Sequence, residues 1–89
     1  MNTIAQIGVL DDEILAVEST VYQLKIYAPS AEVRGFSDPL AFIAWCREER
    51  PEVVFLDVEM PRKSGVEVAS EVRDYVDHII FATAHEDYA

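Results

Sequence analysis

The sequence is short of several things at once. It has one cysteine, seven basic residues against 17 acidic ones, and two histidines in 89 residues. A lone Cys46 excludes an internal disulfide, and neither His78 nor His85 has a second His or Cys at ligand spacing, so a zinc-type site is not expected. The formal net charge of -10 sets the surface against phosphate backbones and anionic membranes, so neither nucleic acid nor a membrane is an expected direct partner. No charged-then-apolar leader or long apolar span is present at the amino end, so the expected location is cytoplasmic. No repeat or low-complexity linker interrupts the chain, and 51% hydrophobic with 27% charged residues is ordinary for one small globular domain.

What is present is organised around Val53-Val54-Phe55-Leu56-Asp57-Val58-Glu59-Met60-Pro61. Four consecutive apolar residues, Val53 to Leu56, read as a strand buried on both faces, which places it at the centre of a parallel sheet. The run gives way to Asp57 at the carboxyl end, where open α/β sheets place their ligands. Pro61 stops the strand, and Ser64-Gly65 supplies turn chemistry before the next helical pattern.

The remaining chain alternates strands with helices. Ile4 to Leu10 forms a short strand that ends on Asp11, Asp12 and Glu13. Ile14, Val17, Val21, Leu24 and Ala28 then recur at helical spacing until Pro29, with Asp11 or Asp12 available as the cap. Ala31 to Phe36, weakened by Gly35, suits a sheet edge. Asp38-Pro39 is a strong helix start, and that helix runs through Trp45 and Cys46, core or margin residues, to a solvated Arg47-Glu48-Glu49-Arg50 end. Val66, Ala69, Val72 and Tyr75 mark a third helix starting just past Gly65, and His78 to Ala84 reads as a fourth strand. Such alternation points to βαβ units with right-handed crossovers and a parallel sheet.

In a parallel sheet the carboxyl ends of all strands share one rim, so Asp11, Asp12, Asp57 and Thr83 can converge. Carboxylates in one pocket repel, by roughly 3 kcal/mol per pair at about 5 Å and an effective dielectric of about 20. A divalent cation reverses that sign, and oxygen-only ligands in a partly open site favour magnesium. The ion would neutralise an incoming phosphoryl group and leave one Asp57 oxygen as nucleophile, while Thr83 and the backbone N–H beside Ala84 could donate to phosphoryl oxygens. Taken one at a time the groups have plainer readings. Asp11 or Asp12 caps the first helix, Asp57 ends a strand, and Thr83 is an ordinary strand residue.

Together, Leu10-Asp11-Asp12-Glu13, the segment Leu56 to Pro61 with Ser64-Gly65, and Phe81-Ala82-Thr83-Ala84 resemble the receiver domain of two-component response regulators. The resemblance covers nearly the whole chain and implies a flavodoxin-like three-layer α/β/α fold with strand order 2-1-3-4. It implies that Asp57 is the phosphoacceptor and that Asp12 and Asp57 ligate magnesium directly. Asp11 would act through a water and the Glu59 backbone carbonyl would be a further ligand. Thr83 would be the switch hydroxyl, with Glu59 and Ala84 against the phosphoryl group. A histidine kinase would supply the phosphoryl group, and an output or effector domain, not found in these residues, would receive the signal. The domain would catalyse no more than its own phosphorylation and dephosphorylation.

A complete receiver adds a fifth strand ending in a lysine, and residues 1–89 are expected to form an incomplete receiver domain without it. Arg62 and Lys63 are the nearest basic candidates for that lysine's role. Without a neighbour the fourth strand becomes a long apolar edge, so self-association through that edge or by exchange of elements is expected. A fragment that merely assembles, without phosphorylation switching, is the competing reading. A metal-dependent phosphatase using Asp57-Val58-Glu59 is a third, short of a second Asp and a general acid.

Overall fold

Five-residue strands separated by helices set the architecture, seen in a computed structural model that describes residues 5–82. The elements run β1 (Gln6–Leu10), α1 (Ile14–Tyr27), β2 (Glu32–Phe36), α2 (Pro39–Glu49), β3 (Val53–Asp57), α3 (Gly65–Val72) and β4 (His78–Ala82). The strands form one parallel sheet in the order β2-β1-β3-β4. β3 is an interior strand, and β2 is an edge as its weak pattern predicts. Leu10 lies opposite Leu56, and Asp57 opposite Ala82, so the strand ends are level along one rim.

The helices occupy both faces, giving the expected three layers. A side chain at Gly8 would strike Trp45 and Phe42 of α2, whereas one at Gly35 would strike Val17 and Val21 of α1. Gly35 is the register partner of Val9, the neighbour of Gly8, and adjacent strand positions face opposite ways. α1 and α2 therefore lie on opposite sides of the sheet. The core is on the α2–α3 side, where Phe42, Cys46, Val54, Leu56, Val68 and Val72 are fully buried. Phe36, Phe42 and Trp45 pack ring to ring at its β2 end, with the Phe36 and Phe42 centroids 5.6 Å apart and nearly perpendicular.

Local chemistry accounts for most boundaries. Asp38 caps α2 by accepting the Leu40 N–H at 3.1 Å, with Pro39 in the first turn, and Arg50 ends the helix in a left-handed conformation at φ 51°. Three details differ from the sequence reading. Neither Asp11 nor Asp12 caps α1, because Glu13 occupies the cap position and makes no side-chain cap bond. α1 is also less cleanly amphipathic than its spacing implies, with Val17 buried while Ile14, Leu15 and Tyr22 are exposed. In α3 the inward residues are Val68 and Val72, Val66 faces solvent, and Tyr75 lies beyond the helix end. The Arg47-Glu48-Glu49-Arg50 end of α2 is exposed as expected, and Arg47 and Arg50 also sit over the Tyr75 ring. No helix among the described residues is long and apolar enough to cross a membrane.

Candidate functional site

Three loops meet at the carboxyl rim of the sheet. Asp11 and Asp12 follow β1, and Asp57 is the last residue of β3. One carboxylate oxygen from each lies within 4.8 Å of the other two. Asp57 is buried at 9% exposure, Asp11 is half-buried and Asp12 is open to solvent. A pocket of about 560 Å³ opens over Asp12 and Asp57 and is also walled by Glu13, Glu59, Met60 and Ser64, while Asp11 and Asp57 line a smaller one of about 240 Å³ beside α1.

Backbone geometry holds this arrangement. The Asp11 carboxylate accepts the Glu13 N–H at 3.0 Å, which turns the chain from β1 into α1 and explains why Asp11 is not the cap itself. Asp57 Oδ1 takes a longer contact from the Glu59 N–H, at 3.4 Å. The loop after β3 then doubles back, with the Gly65 N–H bonded to the Val58 carbonyl at 2.9 Å. A Cβ on residue 65 would collide with the Asp57 carbonyl oxygen, so the close return requires glycine. Ser64 and Glu67 complete a capping box: Ser64 Oγ accepts the Glu67 N–H at 3.2 Å and Glu67 Oε1 accepts the Ser64 N–H at 3.0 Å. The Ser-x-x-Glu spacing of that box is visible in the sequence.

The electrostatics of the cluster are unfavourable without a counter-ion. Burial first, then the Asp57 and Asp12 carboxylates, push the Asp11 carboxyl above its ordinary 3.8, while the Glu13 N–H pulls it back. At 4.8 Å each carboxylate pair repels by roughly 3 kcal/mol for an effective dielectric of about 20. A set of oxygen donors with one buried, one half-buried and one open member can hold a hard divalent ion that keeps several waters. The residues thus fit a metal ion of this kind.

The sequence profile of the response regulator receiver domain matches residues 7–89. The chain belongs to this family. A sensory transduction protein LytT of Oceanobacillus iheyensis is 38% identical over 91 residues, spanning 92% of this chain and 35% of that protein. A transcriptional regulatory protein BtsR of Escherichia coli is 34% identical over 82 residues, with 91% and 34% of the two chains covered. This receiver chain therefore spans about a third of the length of the curated relatives it matches. Among solved structures, a response regulator receiver protein from Pseudomonas putida matches with a TM-score of 0.80 at 18% identity, over 98% of this chain and 74% of that one. The chemotaxis protein CheY4 of Vibrio cholerae matches with a TM-score of 0.77 at 22% identity, over 97% and 73%. These two likenesses concern the fold, and they agree with the parallel 2-1-3-4 sheet.

Within the receiver frame, Asp11, Asp12 and Asp57 come together, the Glu59 N–H rather than its carbonyl is what reaches Asp57 Oδ1, and Thr83 and Ala84 lie outside the described residues. The two basic candidates separate. Lys63 Nζ is 2.6 Å from Glu71 Oε2 and is committed to α3, with Arg47 reaching the other Glu71 oxygen at 3.8 Å. Arg62 Nη2 is 3.4 Å from Asp38 Oδ1. Cys46 is fully buried and burial pushes its thiol up to about 12, which leaves it a core residue.

Proposed function

We propose that this domain accepts a phosphoryl group on Asp57 from a histidine kinase, in a magnesium-dependent reaction, and relays the change to an output domain or partner. The observation that carries the reading is the meeting of Asp11, Asp12 and Asp57 within 4.8 Å at the carboxyl rim of a receiver-family sheet. Asp12 and Asp57 would hold the ion directly, Asp11 through a water, and the Glu59 backbone carbonyl would add a further oxygen. Magnesium when bound supplies positive charge that lowers carboxylate repulsion and that of an incoming phosphoryl group.

The chain's own residues do the rest. Asp57 is buried at the end of β3 and lines the pocket, so a donor bound there meets one of its carboxylate oxygens. That oxygen bonds to phosphorus while the bond from phosphorus to the donor's leaving atom breaks, and the electron pair departs with the leaving group. Met60, at 8% exposure, and the return of the loop through Gly65 keep the acceptor end of β3 in place. Thr83 is assigned the hydroxyl that meets the phosphoryl group, and Ala84 a backbone N–H beside it. Residues 1–89 are read as belonging to one receiver unit.

Intact mass measurement after incubation with magnesium and phosphoramidate tests the reading. One added phosphoryl group on the wild type, absent from Asp57→Asn, supports it. An unmodified wild type, or turnover of the donor without an adduct, contradicts it. As an isolated 89-residue chain the protein is also expected to self-associate, because Ile80 and Phe81 of the edge strand β4 are 43% and 47% exposed. A monomer by light scattering at micromolar concentration contradicts that expectation.

A further inference from the structure

Arg62 and Lys63 are adjacent in sequence and line one small cavity, but they pair with different acids. Lys63 is held by Glu71 in an ion pair network that joins α2 to α3. Among the described residues Arg62 pairs with Asp38 at 3.4 Å, and 75% of its side chain is exposed. The Asp38 oxygen it uses is already accepting the Leu40 N–H at 3.1 Å, so that oxygen is shared between two donors. Exposed single ion pairs of this kind hold a side chain weakly.

Beside this pair is a cavity of about 330 Å³ lined by Asp12, Ser37, Pro39, Met60, Pro61 and Arg62. Three of those residues, Asp12, Met60 and Pro61, are also walls of the acidic pocket over Asp57. The two spaces therefore adjoin along Asp12, and Arg62 is the one basic side chain among their described lining residues. Three carboxylates with one divalent ion leave a negative charge uncompensated, and a phosphorylated donor brings more. A guanidinium offers what is missing, a permanent positive charge whose planar donors match phosphoryl oxygens.

Resting on the reading of Asp57 as acceptor, we propose that Arg62 is a donor-orienting residue that leaves Asp38 and binds a phosphoryl oxygen of the incoming donor. Asp38 is its resting partner and competes with the donor for it. With phosphoramidate the covalent step is a new bond from an Asp57 oxygen to phosphorus and loss of the phosphorus–nitrogen bond. Its electron pair leaves on ammonia, which takes a proton from solvent. Arg62 supplies charge and geometry and transfers no proton.

The two partners give opposite signs in a rate measurement, which separates this role from a simple clasp between loops. Adduct formation on Asp57 is followed by intact mass against phosphoramidate concentration for wild type, Arg62→Ala, Arg62→Lys and Asp38→Asn, with thermal melts as the check on folding. Asn caps helices as well as Asp, so Asp38→Asn keeps α2 while removing the charge that holds Arg62. Arg62→Ala raises KM about tenfold with little change in kcat, the loss expected for one charge-assisted hydrogen bond, and Arg62→Lys restores part of it. Asp38→Asn lowers KM by about twofold to threefold as the competitor is removed. A KM unchanged in Arg62→Ala, or raised in both Arg62→Ala and Asp38→Asn, overturns the assignment of Arg62 while leaving Asp57 as acceptor. A wild type that takes up no phosphoryl group overturns both.

Discussion

The two faces of the sheet are packed to different degrees. Facing α2 and α3, Val54 and Leu56 of β3 are fully buried with Phe42, Cys46, Val68 and Val72 around them. Facing α1, the alternate residue Phe55 is half-buried and its register partner Ile80 is 43% exposed. Asp57 follows the parity of Phe55, so the acceptor strand is clamped from one side and presents its carboxylate on the more open one. A buried carboxylate surrounded by packing on both faces would be costly and unreachable.

Removing the clamp is the strongest way to break this contrast. Phe42→Ala, which empties a fully buried site in α2, is expected to cost about 3–5 kcal/mol in urea unfolding and to weaken ion binding as β3 loosens. Occupying the pocket works from the other side. Magnesium at a hundredfold excess over its dissociation constant should stabilise the wild type by about 2.7 kcal/mol, read as a rise in melting temperature, and Asp12→Asn should lose most of that rise. Ser64→Ala, which opens the capping box beneath the pocket, is expected to cost about 1 kcal/mol by the same urea measurement. Ile80→Thr on the open face should change stability by no more than about 0.5 kcal/mol. If Ile80→Thr costs as much as Phe42→Ala, the distinction between the faces fails.

The order of elements, the edge position of β2, the Asp38-Pro39 start and the central place of Val53 to Leu56 were all legible, because hydrophobic period and cap chemistry are local signals. Convergence of Asp11, Asp12 and Asp57 was legible once the sheet was taken as parallel, since topology alone puts strand ends on one rim. Other features depend on three-dimensional competition. Asp11 had the chemistry of a cap, but its carboxylate is used two residues on, at Glu13, and the helix begins without one. Val72 and Ala69 face the core as the period implied, but Val68 is the other fully buried residue and Val66 lies in solvent. Nothing in the adjacency of Arg62 and Lys63 told them apart. Glu71 of α3 claims one, and Asp38, 24 residues upstream of the other, claims Arg62.

The central claim is that one ion is shared by the ends of β1 and β3. Manganese in place of magnesium tests it most directly, because amide signals close to the paramagnetic ion broaden in a nuclear magnetic resonance spectrum of the 89-residue chain. At substoichiometric manganese the signals of Asp11, Asp12, Asp57 and Glu59 should broaden together, while those of Val33 and Arg34 on β2 stay sharp. Broadening centred on another acidic stretch, such as Glu48-Glu49, or on β1 without β3, would contradict the account.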